Sequence, residues 1–316
     1  MLKKLLIATT LIILVIPDTT AQSWKFLRHE LSFGIGASNF LGELGGADRI
    51  GSHNIASVRD LEFSMTRPAV AAGYRYRFSP NWSAKANLVY GRLNGDDALT
   101  AEPYRNNRNL HFRSPVVELS VQVEWFPLGD NTSFDYRMGG IQGNPSGSIS
   151  PYLFAGIGGF WFNPKAQYTD GNWYALQPLG TEGQTVPGSG VEPYSRVSVC
   201  IPVGFGLKYA LDSQWSIGFE LTVRTTFTDY IDDVGGVYYD KEAIRAANGD
   251  MGDIAAYFAD PSKGDIEPIV DGAYYNEVTQ PGNQRGNDTE NDAYMFAIFS
   301  INYKLLQGGR SLPKFR

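Results

Sequence analysis

Cysteine is almost absent from this sequence, which has one, Cys200, in 316 residues. A single cysteine cannot form an internal disulfide, and no CxxC pair or Cys/His cluster offers the ligands that a structural zinc ion requires. The sequence therefore predicts no disulfide, no soft-ligand metal site and no cofactor. Cys200 shares a strand face with Pro202 and Gly204, so we expect it to be a small buried residue.

Catalytic motifs are missing as well. The histidines, His29, His53 and His111, stand outside any HExxH motif, and no GxSxG motif is present. We predict that the protein is not an enzyme and that it has neither nucleic acid nor a small-molecule substrate as a partner. One alternative stays open. His111 is close to Ser114 in the sequence, and a lipid hydrolase at the membrane surface would need such a base and nucleophile.

Long apolar runs are absent beyond the first residues. Lys3 and Lys4 precede an apolar stretch at 5–16 that ends in small residues, which is the pattern of a cleavable secretory peptide over 1–21. Residues 22–316 would then form one mature domain. No later stretch approaches the roughly 18 to 20 continuous apolar residues of a spanning helix. A membrane form of this chain would therefore have to be a closed barrel.

Alternation of apolar and polar residues is what the sequence does contain. Hydrophobic residues make up 43% of the chain, which also has 35 glycines and 17 prolines, and this composition favours an all-β fold. Within 67–78, Val70 and Tyr74 share one face while Arg75 and Arg77 share the other. The pattern predicts eight strands, at about 29–40, 67–78, 82–93, 112–126, 149–162, 194–210, 215–228 and 293–304.

The connections between these strands are unequal at the two ends. One end has tight turns at 79–81 and 211–214 and a longer link at 127–148. All four opposite connections are long, at 41–66, 94–111, 163–193 and 229–292. Because outer-membrane barrels have short periplasmic turns and long extracellular loops, we predict an eight-stranded antiparallel transmembrane β-barrel of the outer-membrane type, located in the bacterial outer membrane with both termini periplasmic. A lipocalin-like barrel or a soluble sandwich remains the alternative.

Aromatic residues cluster near both ends of the predicted strands. Two such bands, separated by small and aliphatic residues, are typical of the girdles that contact outer-membrane lipid at its two interfaces. The band at the short-turn end contains Tyr76, Phe78, Trp82, Trp125, Phe126, Tyr209, Trp215 and Tyr303. The band at the other end contains Tyr90, Phe112, Trp161, Phe162, Tyr194, Phe227 and Tyr294.

Charged residues occupy the opposite, inward face of the same strands. An eight-stranded barrel has room inside only for side chains, so we expect these charges to pair in a plugged interior, which disfavours a porin. A proton or ion path is the functional alternative. The predicted network comprises Arg75, Arg77, Lys85, Glu118, Glu124, Lys208, Glu220 and Arg224, with Arg67, Arg196 and Lys304 on the same face.

The connection at 229–292 is strongly acidic, with 15 acidic and four basic residues and a net charge of −11. We interpret it as a solvated loop outside the cell, with short helices in 241–260. Asp229, Asp232 and Asp233 would stand in water just above the membrane. Calcium binding or a partner surface is the alternative, although no DxDxDG ladder of oxygen ligands is present.

Five segments together resemble one known family. They are NFLGELGG at 39–46, RNLHFRSPVVELS at 108–120, SPYLFAGIGGFWFNPKA at 150–166, LQPLGTEGQ at 176–184 and RTTFTDYIDDVGGVYY at 224–239. On these segments the chain looks like the PorG-like outer-membrane barrels of the type IX secretion system. The resemblance implies a non-enzymatic barrel that ties the periplasmic ring of PorK and PorN to the outer membrane. That machinery exports proteins with a C-terminal sorting domain and, in some Bacteroidota, supports gliding motility.

The resemblance leaves the contact surface open. If the ring binds this barrel, topology makes three regions accessible: the mature N-terminus, the 127–148 connection and the basic tail. Their candidate residues are Trp24, Lys25, Phe26, Arg28, Phe134, Tyr136, Arg137, Lys304, Arg310, Lys314 and Arg316. An adhesin or ligand-binding barrel that acts through its long loops, above all 229–292, is the alternative function.

Overall fold

The computed structural model describes most of the predicted mature chain. The described residues are 27–42, 44, 63–100, 103–130, 136–138, 141–143, 147–264, 278–287 and 291–305, with the backbone alone for 136–138 and 141–143. The predicted secretory peptide, Trp24, Lys25, Phe26, Phe134 and the tail beyond Leu305 lie outside these residues.

Strands dominate the described residues. They are β1 (His29–Leu41), β2 (Arg67–Arg77), β3 (Trp82–Asp96), β4 (His111–Trp125), β5 (Tyr136–Met138), β6 (Ile141–Gly143), β7 (Ile149–Phe162), β8 (Lys165–Gln167), β9 (Trp173–Ala175), β10 (Val197–Ala210), β11 (Trp215–Thr226) and β12 (Ala293–Leu305). The helices are α1 (Pro103–Arg108), α2 (Lys241–Ala247) and α3 (Gly252–Ala259), with 3₁₀ turns at Phe63–Met65, Asp97–Leu99, Gln177–Leu179 and Gly249–Met251. None of the described helices is long and apolar enough to cross a membrane.

Eight of these strands close into one antiparallel barrel. Their order is β3, β2, β1, β12, β11, β10, β7 and β4, and pairing of β3 with β4 completes the ring. The predicted eight strands are confirmed, and their bounds differ from the observed ones by at most three residues. The largest extension is at β3, because β3 and β4 stay paired as far as Asp96 and His111 and so shorten the predicted 94–111 loop.

The distribution of apolar residues excludes a soluble β-sandwich. Phe33, Ile35, Leu119, Ile157 and Phe299 point outward, and each is more than 60% exposed. The inward residues of the same strands include buried arginine, lysine and glutamate side chains. A soluble barrel or sandwich buries its apolar face and wets its polar face. This barrel is inverted, as a membrane-spanning barrel must be.

The connections define two different ends. We call the end with 78–81 and 211–214 the short-turn end and the opposite one the long-loop end. At the long-loop end β8 continues the edge of β4 and pairs with β9. The helices predicted in 241–260 are confirmed as α2 and α3, and the Asp240 carboxylate caps α2 by accepting from the backbone N–H of Glu242 at 3.0 Å.

The described residues of the 163–193 and 229–292 loops form a folded outer layer. Residues from 165–186 and from the two helices share one hydrophobic cluster, which contains Ala166, Leu176, Leu179, Ile244, Ala255, Phe258 and Ala259. A second cluster fills the long-loop half of the barrel and includes Ile231 and Val234, which come from the last long loop. Ile231 and Val234 thus join the outer layer to the interior of the barrel.

Closure between the first and last strands depends on glycine. Gly36 of β1 pairs with Ile298 of β12, and a Cβ atom at Gly36 would clash with the backbone oxygen of Ala297. Backbone cannot move aside as a flexible side chain can, so this position accepts no larger residue without displacing the strand. Gly159 of β7 points outward, and the nearest atom to a Cβ placed there is the oxygen of Ser198 at 4.0 Å.

We expect Gly36→Val to destabilise the barrel by about 1–3 kcal/mol, the usual cost of overpacking. The measurement is urea unfolding of the refolded protein in detergent micelles, followed by tryptophan fluorescence. Gly159→Val is the matched control, because it adds the same side chain to an open site. Equal unfolding midpoints for the two variants would contradict the predicted role of Gly36 in closure.

Candidate functional site

The short-turn half of the barrel is filled by ion pairs centred on Arg75. Its guanidinium donates to both carboxylate oxygens of Glu124, from Nε at 2.5 Å and from Nη2 at 2.9 Å. It also pairs with Glu30 and lies 3.5 Å from Glu220. These side chains come from β1, β2, β4 and β11, and all are buried. Because β-strand periodicity turns each of them inward, one arginine connects four strands across the bore.

A second arginine and two lysines complete this network. Lys208 donates to Glu30 at 2.8 Å and to Asp130 at 3.2 Å, and Asp130 also pairs with Arg77. Lys85 pairs with Glu220, which accepts a further hydrogen bond from the Tyr152 hydroxyl at 2.6 Å. We call these residues the short-turn network: Glu30, Arg75, Arg77, Lys85, Glu124, Asp130, Tyr152, Lys208 and Glu220. Charges of both signs compensate one another inside a medium that would otherwise penalise each of them.

One ion pair stands apart from this network, closer to the long-loop end. Arg224 Nε donates to Glu118 at 2.9 Å, and the Tyr294 hydroxyl donates to the same carboxylate at 3.0 Å. The guanidinium carbon lies 4.4 Å from the centre of the Phe296 ring, within the range of a cation–π contact. Cys200 is fully buried beside Tyr294, as expected for a small interior residue.

Around this pair the bore is closed by aromatic side chains. Phe112, Phe160, Phe162, Tyr294 and Phe296 all belong to one cluster and are at most 2% exposed. Rings packed across an eight-stranded barrel leave no continuous polar lining through it. The arrangement supports a filled scaffold and disfavours the proton or ion path.

All eight residues of the predicted charge network lie inside the barrel. The structure adds Glu30, Asp130 and Tyr152, which sequence reasoning missed. Glu30 alternates with Ser32 on the inward face of β1 and could have been found from that spacing. Asp130 follows β4 in a turn, where alternation gives no signal.

Ten of the fifteen predicted girdle residues lie on the outer surface. Phe78, Trp82, Tyr90, Trp125, Trp161, Tyr209, Trp215 and Phe227 are exposed, and Tyr76 and Tyr303 are half-buried.

The prediction is wrong for the other five, Phe112, Phe126, Phe162, Tyr194 and Tyr294. Four of them are fully buried because they occupy inward positions, one residue away from an outward neighbour. Tyr194 lies before β10 and stacks between Phe162 and Tyr230.

A second buried polar site lies above the barrel mouth, where Arg285 meets Glu182. Arg285 Nη1 donates to Glu182 at 2.8 Å and to the backbone oxygen of Asp233 at 2.7 Å. Glu182 also accepts from the backbone N–H groups of Gly235 and Gly236, at 3.1 and 3.2 Å. Arg285 and Glu182 are each at most 3% exposed, so this contact fastens the 163–193 loop to both ends of the last long loop.

Asp233 completes this group, which we call the outer cluster: Thr181, Glu182, Tyr194, Asp233 and Arg285. The Asp233 carboxylate accepts from the hydroxyls of Thr181 and Tyr194, both at 2.6 Å, and lies 3.9 Å from Arg285. Its backbone has φ 72°, a left-handed conformation that aspartate tolerates better than most residues.

The expectation that Asp232 and Asp233 stand in water is therefore wrong. Each is 1% exposed. Asp232 accepts from the backbone N–H of Val234 at 3.0 Å, and nearby Asp292 accepts from Ile231 at 2.9 Å. The first residues of the last long loop, directly after β11, fold back over the barrel mouth and use their carboxylates to satisfy buried donors, which the count of acidic residues could not show.

Burial changes the acid–base behaviour of the outer cluster. Desolvation raises the pKa of Asp233 from 3.8 to about 6, against the opposing effect of Arg285 and the two hydroxyl donors. Desolvation and the neighbouring Asp233 raise the pKa of Tyr194 well above its usual value. The pKa of Arg285 is raised overall by Glu182 and Asp233, although burial acts in the opposite direction. Of these three groups, Asp233 therefore has the pKa nearest to neutral pH.

Further hydrogen bonds connect the other long loops to this site. Arg108 binds both oxygens of Asp97, at 2.7 and 3.1 Å, and donates to the backbone oxygen of Arg285 at 2.8 Å. Asn248 of the last loop donates to Leu179 at 3.0 Å. Three of the four long loops thus form one hydrogen-bonded layer over the mouth.

The alternative of a lipid hydrolase finds no support in the geometry. His111 and Ser114 lie on opposite faces of β4, because three positions separate them. His111 accepts from the backbone N–H of Gln167 at 3.0 Å, and the buried Ser114 hydroxyl accepts from Asn163 at 3.1 Å. Nor does the described part of the chain contain a group of three or more His, Cys, Asp or Glu side chains arranged to hold a metal ion.

These features define the class of the protein, which is a closed eight-stranded β-barrel of the outer-membrane type with a filled interior. The chain belongs to the family described as Domain of unknown function (DUF6089), which matches residues 3–255. No curated protein matches the chain.

Several solved structures are similar in fold. One is Ail, the attachment invasion locus protein of Yersinia pestis, in complex with the heparin analogue sucrose octasulfate, with 9% identity and a TM-score of 0.35, covering 88% of this chain and 100% of that one. Another is the outer membrane protein OprG of Pseudomonas aeruginosa, with 8% identity, a TM-score of 0.34, and coverage of 89% and 98%. A third is a major outer membrane protein of Thermus thermophilus, with 12% identity, a TM-score of 0.34, and coverage of 88% and 99%.

The Glu118–Arg224 pair allows a direct test of charge compensation inside the barrel. We expect Arg224→Met to cost about 3–5 kcal/mol, because it leaves the buried Glu118 carboxylate without its cation. Glu118→Gln should also destabilise the barrel. The double variant should recover most of the loss, since it buries no net charge. The measurement is a double-mutant cycle of urea unfolding in micelles, and strictly additive losses would contradict the predicted coupling.

Asp233 should make the outer cluster more stable at acidic pH. Its folded pKa of about 6 lies above the ordinary value of 3.8, so the folded state binds the proton more tightly than the unfolded state. The stabilisation is complete below about pH 3.8 and is lost as the pH rises through about 6. After correction for intrinsic exchange rates, hydrogen exchange at Gly235 and Gly236 should therefore be slower at acidic than at neutral pH.

Asp233→Asn is the control for this titration. Asparagine also tolerates the left-handed backbone and cannot ionise, so the corrected exchange rates of Gly235 and Gly236 should lose their dependence on pH across this window. An unchanged dependence in the variant would assign the titration to another group.

Proposed function

We propose that this chain is a non-enzymatic component of the type IX protein secretion system, placed in the bacterial outer membrane. Its role there is to anchor or contact the periplasmic ring built from PorK and PorN. The support from sequence is the resemblance over the five segments quoted above. The support from structure is a barrel that is filled along its length, which suits a membrane anchor better than a channel.

A contact between two of the quoted segments supports the proposal in addition to the fold. Two of the five segments, LQPLGTEGQ at 176–184 and RTTFTDYIDDVGGVYY at 224–239, are joined through Glu182 and Thr181. Glu182 binds the backbone of Gly235 and Gly236, and Thr181 binds Asp233. Two of the segments that carry the resemblance are thus in direct contact and form one structural unit.

The topology gives the proposal an orientation. If the short turns face the periplasm, the residues that precede β1, the 127–148 connection and the tail beyond β12 lie on the side of the ring. Leu128, at the start of that connection, is 67% exposed. Residues 136–138 and 141–143 pair as the β5–β6 hairpin in the same connection. These regions remain the proposed contact surface, except for Lys304, for which the prediction of an accessible position is wrong because its side chain points into the barrel and is 1% exposed.

A surface-binding role is the second candidate, and the folded outer layer favours it. The layer has its own hydrophobic cluster and helices, which a passive loop would not require. An adhesin or ligand-binding barrel would act through this layer alone. The two functions therefore use opposite ends of the molecule and can be separated by experiment.

A chromosomal deletion should test the secretion role. We expect loss of most sorting-domain cargo from the medium, together with loss of PorK and PorN from the outer-membrane fraction, and wild-type protein should restore both. A complementing variant in which a short flexible linker replaces 241–260 should also restore secretion, because it alters only the outer layer. Normal secretion in the deletion strain would overturn the proposal. Restored secretion with lost surface binding in the linker variant would assign the outer layer a separate binding role.

A further inference from the structure

A group of basic side chains lies on the outer surface of the barrel, near its long-loop end. It comprises Arg92 of β3, Arg113 of β4 and Lys165 of β8, and we call it the outer basic patch. Arg92 is exposed, and Arg113 and Lys165 are half-buried. None of the three belongs to the charges inside the barrel, because the outward parity of their strands turns them toward the surroundings.

The strand register places these three residues side by side. Arg113 is directly opposite Lys165, and on its other side it is opposite Asn94. Arg92 is opposite Pro115, which makes Arg92 and Arg113 diagonal neighbours on one face. Diagonal neighbours across antiparallel strands lie about 7–8 Å apart, within reach of long side chains. Three positive charges therefore converge on a small area.

Other contacts hold the patch in position without neutralising it. The guanidinium carbon of Arg113 lies 3.7 Å from the centre of the Trp173 ring, a cation–π contact that fixes its direction. Within the described part of the chain, no carboxylate lies within ion-pair distance of Arg92, Arg113 or Lys165. The acidic residue Asp170, in the same region, accepts instead from Asn172 and Tyr174. The patch thus differs from the interior, where each cation of the short-turn network contacts a carboxylate.

The height of the patch relative to the apolar surface indicates what surrounds it. Tyr90, Val117 and Trp161 form one row across β3, β4 and β7, and all three are exposed. Arg92 is two positions beyond this row and Arg113 is four, which is about 7 and 13 Å along the strand. With a strand tilt of about 40°, these distances become about 5 and 10 Å along the membrane normal.

Arg92 lies at the height of the headgroup region of a membrane, and Arg113 and Lys165 lie about 2 Å beyond its outer edge, within reach of a long side chain. Headgroup regions extend roughly 5–8 Å beyond each side of the hydrocarbon core, and aromatic rows mark the boundary between the two. An unpaired arginine would be costly deeper in the hydrocarbon, but its cost becomes small near the interface. Arginine and lysine are also the side chains that bind phosphate oxygens best.

We propose that Arg92, Arg113 and Lys165 form a binding site for the phosphate groups of an anionic lipid in the leaflet around the long-loop end. The aromatic row of Tyr90 and Trp161 would contact the upper acyl chains of the same lipid. The phosphorylated glycolipid of a bacterial outer leaflet has the required chemistry, with acyl chains below and phosphates above. This site is independent of the secretion role, because it depends only on the outer surface of the folded barrel.

Binding of diphosphoryl lipid A to the purified barrel in detergent micelles tests the proposal, with bound lipid counted by native mass spectrometry. We expect the wild-type protein to bind diphosphoryl lipid A at least about ten-fold more tightly than the same lipid without phosphates, since lysine and arginine near a membrane surface are attracted to its anionic groups. The triple variant Arg92→Gln, Arg113→Gln and Lys165→Gln should lose this preference. A variant that retains the charges, Arg92→Lys with Arg113→Lys, should keep most of it.

Matched controls separate the site from general effects. Lys241→Gln, Arg245→Gln and Lys263→Gln remove the same charge from exposed positions outside the barrel strands and should leave lipid binding unchanged. Urea unfolding must show that the triple variant is folded. Equal binding of lipid A by the folded triple variant and the wild type would overturn the proposal. Full displacement of the lipid by millimolar inorganic phosphate would also overturn it, because the site would then recognise free phosphate rather than a membrane lipid.

Discussion

Arg75 binds carboxylates from three other strands at the centre of a barrel that has room inside only for side chains. The constraint behind this contact is that an inverted barrel cannot place its polar residues in water. The lipid-facing surface requires apolar side chains at every second position, so the alternate positions turn inward whatever they contain. Charged residues there must compensate one another, and Glu30, Glu124 and Glu220 do so around one guanidinium. Buried side chains therefore fill the short-turn half of the barrel.

The same requirement for compensation explains the long-loop end. Carboxylates that the sequence places in an acidic loop are buried there, because the loop returns over the barrel mouth and needs acceptors for its own backbone N–H groups. Glu182 of the neighbouring 163–193 loop provides them for Gly235 and Gly236, and Asp292 provides one for Ile231. Arg285 neutralises part of the resulting charge. The outer layer is thus a folded extension of the barrel, and a barrel with two well-packed ends suits a structural role in the membrane.

Alternation of apolar and polar residues predicts the number of strands, their approximate ends and the charges that face inward. It can do so because the period of two is set locally by the backbone. The same alternation also shows that two of the girdle predictions are wrong. Nearness to strand ends predicts that Phe112 and Phe162 belong to the girdle, whereas their even-numbered positions turn them inward. No local sequence pattern predicts the contacts between loops. Nothing near Asp233 in the sequence indicates Tyr194, and nothing near Glu182 indicates Arg285, since both contacts join residues far apart in the chain.

The outer basic patch shows the same division between local pattern and tertiary structure. Arg92 and Arg113 can be assigned to the lipid-facing side by parity, but only the register of β3, β4 and β8 brings them together with Lys165.

By itself, the sequence determined the barrel, the inverted placement of polar residues and the identity of most interior charges, because the alternation of side chains along a strand depends on neighbours in the chain. Tertiary structure alone decided which charges pair, how the acidic loop folds and which surface cations converge. Those outcomes depend on strand register and loop closure, which bring together residues that no sequence pattern connects.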